Sequence, residues 1–168
     1  MNNRIYIHYG SSHFDKNLLE NSVKYKYTDY KLKNRFFKPE GLWGSPVDTD
    51  DWKNWCEAED FRVDALHIGS FFDKSFKFKL KSTAKILVIK SFNDAIPYIE
   101  DLEISYIHDS VRPYFSKLNL EKIYDNFDGM ELIHGDNWYE LHIESFFNSW
   151  DVDSIVIWNP DVIEEIKD

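Results

Sequence analysis

Hydrophobic and polar positions alternate with a period of two over residues 76–81, Phe-Lys-Phe-Lys-Leu-Lys. That pattern predicts a strand with Phe76, Phe78 and Leu80 turned inward and Lys77, Lys79 and Lys81 facing water. Residues 84–90, Ala-Lys-Ile-Leu-Val-Ile-Lys, form a more continuous apolar run and so a more central strand. Residues 4–9, Arg-Ile-Tyr-Ile-His-Tyr, are β-branched and aromatic and stop at Gly10-Ser11-Ser12, a strand followed by a loop. The short run Gly41-Leu42-Trp43-Gly44-Ser45-Pro46 reads as a buried strand with a tight exit, its glycines allowing close approach of backbone or ligand. Met130 to Ile133 follows the turn Asp128-Gly129, and residues 151–158 form a last strand that Asn159-Pro160 stops, leaving a short amphipathic tail.

Helical spacing appears between these strands. After Asp48, Thr49, Asp50 and Asp51, the residues Trp52, Trp55, Cys56 and Glu59 share one helix face, with Asp48 or Thr49 placed to cap the first turn and the acids suited to the positive end of the dipole. Lys16 to Val23 suits a short helix. Ser91 or Asn93 can cap another, interrupted by Pro97, and residues 118–127 and 138–150 read as two more, the latter with Leu141, Ser145 and Phe146 down one face. Residues 103–116 carry no readable period. The pattern is that of a single α+β domain over residues 1–168, with a mixed, mainly antiparallel sheet and flanking helices.

Charge narrows the choice of partners. Thirty acidic residues against twenty Lys plus Arg give a formal net charge of −10, which argues against a broad nonspecific grip on nucleic acid. The one basic stretch, residues 24–38, interleaves Lys and Arg with Tyr and Phe, and reads either as a solvated face or as a local patch for phosphates and stacked bases. No run of about 18 apolar residues marks a membrane span, and the amino terminus has no signal-peptide core. The single cysteine, Cys56, permits no internal disulfide, so a cytoplasmic setting is expected, and its place on an aromatic helix face suits a buried structural thiol. The six histidines show no metal-ligand spacing, and no phosphate-binding glycine loop or nucleophile elbow occurs.

Three segments taken together resemble the ADP-ribosyltransferase fold shared by the poly-ADP-ribose polymerases and the bacterial mono-ADP-ribosylating toxins. They are Ile7-His8-Tyr9-Gly10-Ser11, then Gly41-Leu42-Trp43-Gly44-Ser45 running on to Trp55-Cys56, and Asp151-Val152-Asp153-Ser154-Ile155-Val156-Ile157. The family has, in this order, a first strand ending in His-Gly or an Arg motif, a Gly-Ile-Tyr-Phe or Ser-Thr-Ser strand with a helix ending Tyr-Cys in the former class, and a Glu before a late strand. This chain departs from it in reading His-Tyr-Gly and in carrying Asp where the family has Glu.

The resemblance implies an NAD-dependent transferase that moves ADP-ribose from NAD to a macromolecular acceptor, protein or nucleic acid, in toxin, phage or defence biology. His8 is favoured for a ribose hydroxyl, with Tyr9 one residue away and Arg4 as the arginine-class alternative. Trp43 or Trp55 would meet the nicotinamide ring, Ser45 a ribose hydroxyl, and the backbone near Gly10 the carboxamide. Asp153 would stabilise the oxocarbenium-like transition state, and Asp151, expected on the same strand face, would position the nucleophile. Two other readings stay open: a non-catalytic acidic binding protein on the same fold, and a phosphotransferase taking a 2′-phosphate from RNA to NAD. The last would want clustered arginines, and only Arg4, Arg35, Arg62 and Arg112 exist.

Overall fold

A computed structural model describes residues 4–26, 39–59, 72–101, 116–137, 139, 141, 147 and 150–167. The alternating segment is a strand as expected, Ser75–Leu80, with Phe76 and Phe78 buried and both intervening lysines exposed. In chain order the elements are β1 (Ile5–Tyr9), α1 (Lys16–Lys26), β2 (Leu42–Pro46), α2 (Asp51–Ala58), β3 (Ser75–Leu80), β4 (Ile86–Ile89), α3 (Phe92–Ala95), β5 (Ile99–Asp101), β6 (Ser116–Leu118), α4 (Leu120–Asn126), β7 (Gly129–Leu132), β8 (Ser154–Ile157) and β9 (Ile163–Ile166).

Seven strands form one sheet in the order β4-β7-β8-β2-β1-β3-β9. Every neighbouring pair is antiparallel except β4 and β7, whose parallel register sets Ile86 beside Gly129 and Ile89 beside Leu132. The architecture is therefore the α+β domain with a mixed, mainly antiparallel sheet that the sequence pattern predicts. β5 and β6 pair separately as a two-stranded ribbon.

Alternation along the strands sends side chains to two cores, one on each face of the sheet. Trp43, Val156, Met130 and Leu87 pair across β2, β8, β7 and β4 and join Ile123, Leu141, Phe147 and Trp150. On the other face Tyr6, Phe76, Phe78, Ile155 and Ile157 pack with Leu19 and Val162. Gly44 of β2 lets the core close over the strand, because a Cβ there would lie 2.9 Å from the Phe78 ring and 3.3 Å from Tyr6 Cβ and force them to shift.

Several details differ from the sequence reading. The amphipathic tail is strand β9, antiparallel to β3, with Ile163 opposite Leu80; pairing with a distant edge, not local period, decides its state. Leu118 ends β6 and is not helical; Asn119 accepts the Lys122 amide and starts α4 at Leu120. Ser91 does cap α3, in a reciprocal capping box with Asp94. The basic, aromatic residues 27–38 and most of the expected helix over 138–150 lie outside the described residues, although Leu141, Phe147 and Trp150 of the latter are buried. Among the described residues no helix is long and apolar enough to cross a membrane.

Candidate functional site

The strands that carry the three motif segments, β1, β2 and β8, are consecutive neighbours in the sheet. At one end of them lies a cavity of about 290 Å³, near the lower end of the range for small-molecule sites. β1 contributes Ile7, His8 and Tyr9, and β2 contributes Trp43, Gly44 and Ser45. Trp52 enters from α2, Trp150, Asp151 and Val152 come from the segment leading into β8, and Ser154 is the first residue of that strand.

The aromatic walls are held from behind. Trp43 meets Trp150 edge-on, with centroids 4.7 Å apart and planes at 62°. Trp150 is also braced by Phe147 at 6.1 Å. Trp52 stacks on Trp55 at 5.4 Å and 14°, so the two indoles do share a helix face, but Trp52 is the one at the cavity and Trp55 is its backing. Tyr9 packs edge-on against Phe72 at 5.1 Å, and its hydroxyl reaches both carboxylate oxygens of Asp50 at 2.8 and 2.7 Å. Burial, reinforced by the Asp50 acceptor, pushes the Tyr9 hydroxyl well above the usual tyrosine range, so it stays protonated as the donor.

The start of α2 differs from the expected cap. Neither Asp48 nor Thr49 closes the first turn; Asp50 occupies the cap position in the left-handed region (φ 46°, ψ 41°) and turns its carboxylate to Tyr9. The hydroxyl of Ser45, a buried residue, accepts the Trp52 amide at 3.3 Å instead. Ser45 thus ties the helix to the strand and retains its own proton for a ligand acceptor. Cys56, on the same helix, is fully buried as expected of a structural thiol.

His8 Nδ1 lies 2.7 Å from the Trp43 carbonyl oxygen. A carbonyl only accepts, so Nδ1 carries the proton and a neutral ring presents Nε2 as an acceptor. Burial lowers the His8 pKa below the ordinary histidine value, partly opposed by the carbonyl, which keeps the ring neutral at neutral pH. Both His8 and Tyr9 line the cavity, but strand alternation turns their side chains to opposite faces: the His8 ring packs 5.2 Å from Phe76, while Tyr9 forms an aromatic wall.

Besides Trp55, three expected site residues stand outside the cavity lining. Gly10 adopts φ 102° and donates its amide to the Lys74 carbonyl at 2.7 Å, so that amide does not read a carboxamide. Arg4 is engaged by Glu131 at 2.9 Å, where the Tyr6 hydroxyl also donates, and by Asp48 at 3.8 Å. Asp153 does not share a strand face with Asp151, because β8 begins only at Ser154. Its Oδ1 accepts the His134 backbone amide at 2.7 Å and His134 Nδ1 at 3.2 Å. Burial would raise the Asp153 pKa, but the two His134 donors, with Arg4 beyond them, outweigh it and hold the carboxyl below its ordinary range. Asp151 is the cavity carboxylate.

Sequence reasoning passed over Trp150 and Trp52 as walls, although Trp150 directly precedes the acidic pair and Trp52 lies one helical turn from Trp55. Among the described residues no group of three or more His, Cys, Asp or Glu side chains is arranged to hold a metal ion. Compared with protein-family models, curated proteins and solved structures, the chain matches none of them.

Proposed function

We propose that the cavity takes the nicotinamide end of NAD and that the protein is an ADP-ribosyltransferase-like enzyme acting on a macromolecular acceptor. The observation that carries this reading is the convergence of three separate segments, around His8, Trp43 and Asp151, on one aromatic cavity from adjacent strands. Trp43, Trp52 and Trp150 supply flat apolar surface for a pyridinium ring. The Ser45 hydroxyl suits a ribose hydroxyl. Asp151 takes the role of the charge-stabilising acid: as the bond from ribose C1′ to nicotinamide breaks, positive charge grows on the sugar, and a fixed carboxylate in a partly desolvated site lowers that barrier. Nicotinamide leaves with the bonding electrons, and an acceptor nucleophile forms the new bond to C1′ while losing its proton.

One observation favours a second reading, a non-catalytic acidic binding protein on the same framework: Asp153, where the family has its Glu, is engaged by His134 rather than by the cavity. Incubating the protein with NAD labelled in the adenylate portion and a cell lysate separates the two. Label on protein, RNA or DNA supports transfer and names the acceptor class; NAD that stays intact and unbound at millimolar concentration removes the enzyme reading.

A further inference from the structure

The cavity's walls and its charge together specify more than flatness. Trp43 and Trp150 meet at 62°, and Tyr9 and Trp52 come from other elements, so the rings form a corner around a volume and not a parallel slot. Each wall is braced from behind, Trp52 by Trp55, Trp150 by Phe147 and Tyr9 by Phe72 and Asp50, so little ordering remains to be done on binding. The lining holds one carboxylate, Asp151, and no lysine or arginine among the described residues. Just behind the wall stands Asp50, hydrogen-bonded to Tyr9. The nearest arginine described, Arg4, is already paired with buried Glu131.

Converging aromatic faces attract a cation through the negative face of each ring, and a carboxylate in the same enclosure adds to that attraction. We infer that this is a cation-selective aromatic cage, whose ligand class is the permanently charged, alkylated nitrogen, an N-alkylpyridinium or a quaternary ammonium group, in preference to neutral molecules of the same shape. The inference rests on reading this cavity as the ligand site, and it does not require that NAD be turned over. An alkylated nitrogen presents no N–H, so it demands no hydrogen-bond acceptor from the apolar walls and sheds its water at lower cost than a primary ammonium.

Calorimetric titration of the full chain tests this with matched pairs: choline against 3,3-dimethyl-1-butanol, and 1-methylnicotinamide against nicotinamide, with NAD as a separate arm. Each cation is expected to bind about tenfold or more tighter than its neutral counterpart. Asp151→Asn should shrink that ratio several-fold without weakening the neutral partner, and Asp151→Glu should restore much of it. Neutral and charged partners binding equally, or neither cation binding at millimolar concentration, would overturn the cage; an unchanged ratio in Asp151→Asn would overturn the carboxylate's part in it. Preferred binding of both cations with no binding of NAD keeps the cage and discards the NAD reading. NAD bound and cleaved, with no preference within either pair, does the reverse.

Discussion

The Tyr9 hydroxyl lies 2.8 and 2.7 Å from the two carboxylate oxygens of Asp50, the one non-glycine residue with positive φ among those described. This contact joins the end of β1 to the start of α2, and both bear on the cavity. Aspartate tolerates the left-handed region better than most residues, and here its side chain is directed away from its usual capping role. Tyr9→Phe keeps the ring wall but leaves the partly buried carboxylate without this donor. Unfolding in urea should show a loss of about 1–2 kcal/mol. Asp50→Ala should cost more, since it also places a less tolerant residue at that φ. Equal stability of Tyr9→Phe and wild type would mean that solvent replaces the contact freely.

Gly44 gives a second prediction about the frame of the site. A methyl group there meets the Phe78 ring at 2.9 Å and the Tyr6 Cβ at 3.3 Å, within a strand paired on both sides. Gly44→Ala should destabilise by about 1–3 kcal/mol through overpacking, read as a lower denaturation midpoint with an unchanged slope.

Asp153 links stability to pH. Its folded-state pKa lies below the ordinary value because the His134 donors outweigh burial, so it contributes stability above the unfolded carboxylate pKa of about 3.9, and that contribution is lost as pH falls through the lower folded value. Asp153→Asn should therefore be less stable than wild type at pH 7 by about 1 kcal/mol, the gap between charged and neutral hydrogen bonds, and the two proteins should converge below pH 4. Denaturation curves at pH 7, 5 and 3 would show it; a gap that widens toward acid would contradict this role.

The paired indoles of α2 separate wall from backing. NAD should quench tryptophan fluorescence, and Trp52→Ala should weaken binding by about 0.5–1.5 kcal/mol, as loss of an aromatic stack does. Trp55→Ala, which removes only the support at 5.4 Å, should weaken it less. The reverse order would place the ligand on the other side of the helix.

Much of the sheet was legible because its signal is local. Phe76, Phe78 and the lysines between them announce β3, and the apolar run of β8 announces a buried strand; the apolar run of β4, expected to be more central, lies instead at the sheet edge with Val88 exposed, because strand order is set by tertiary pairing. Three segments expected to come together do supply lining residues to one cavity, His8, Trp43 and Asp151 among them, while Asp153 lies outside that lining. What could not be read depends on tertiary geometry. Trp52 and Trp55 lie three residues apart, and the Ser45–Trp52 bond, made by a residue seven positions earlier, fixes which one meets the cavity. The joint roles expected of Asp153 and Asp151 assumed strand alternation across both, whereas the strand starts after them and His134, from the exit of β7, takes one of the two. The tail becomes β9 only because β3 offers it an edge.

Under the proposed function it is Asp151, not Asp153, that acts on NAD in this cavity, and the readout is release of free nicotinamide from NAD by purified protein. Both acids are to be changed to asparagine, which removes charge and little volume. Asp151→Asn is expected to lower nicotinamide release by about 10²–10³, the usual effect of losing one preorganised electrostatic group, while Asp153→Asn stays within a few-fold of wild type. Full activity in Asp151→Asn, or a loss confined to Asp153→Asn, would contradict it.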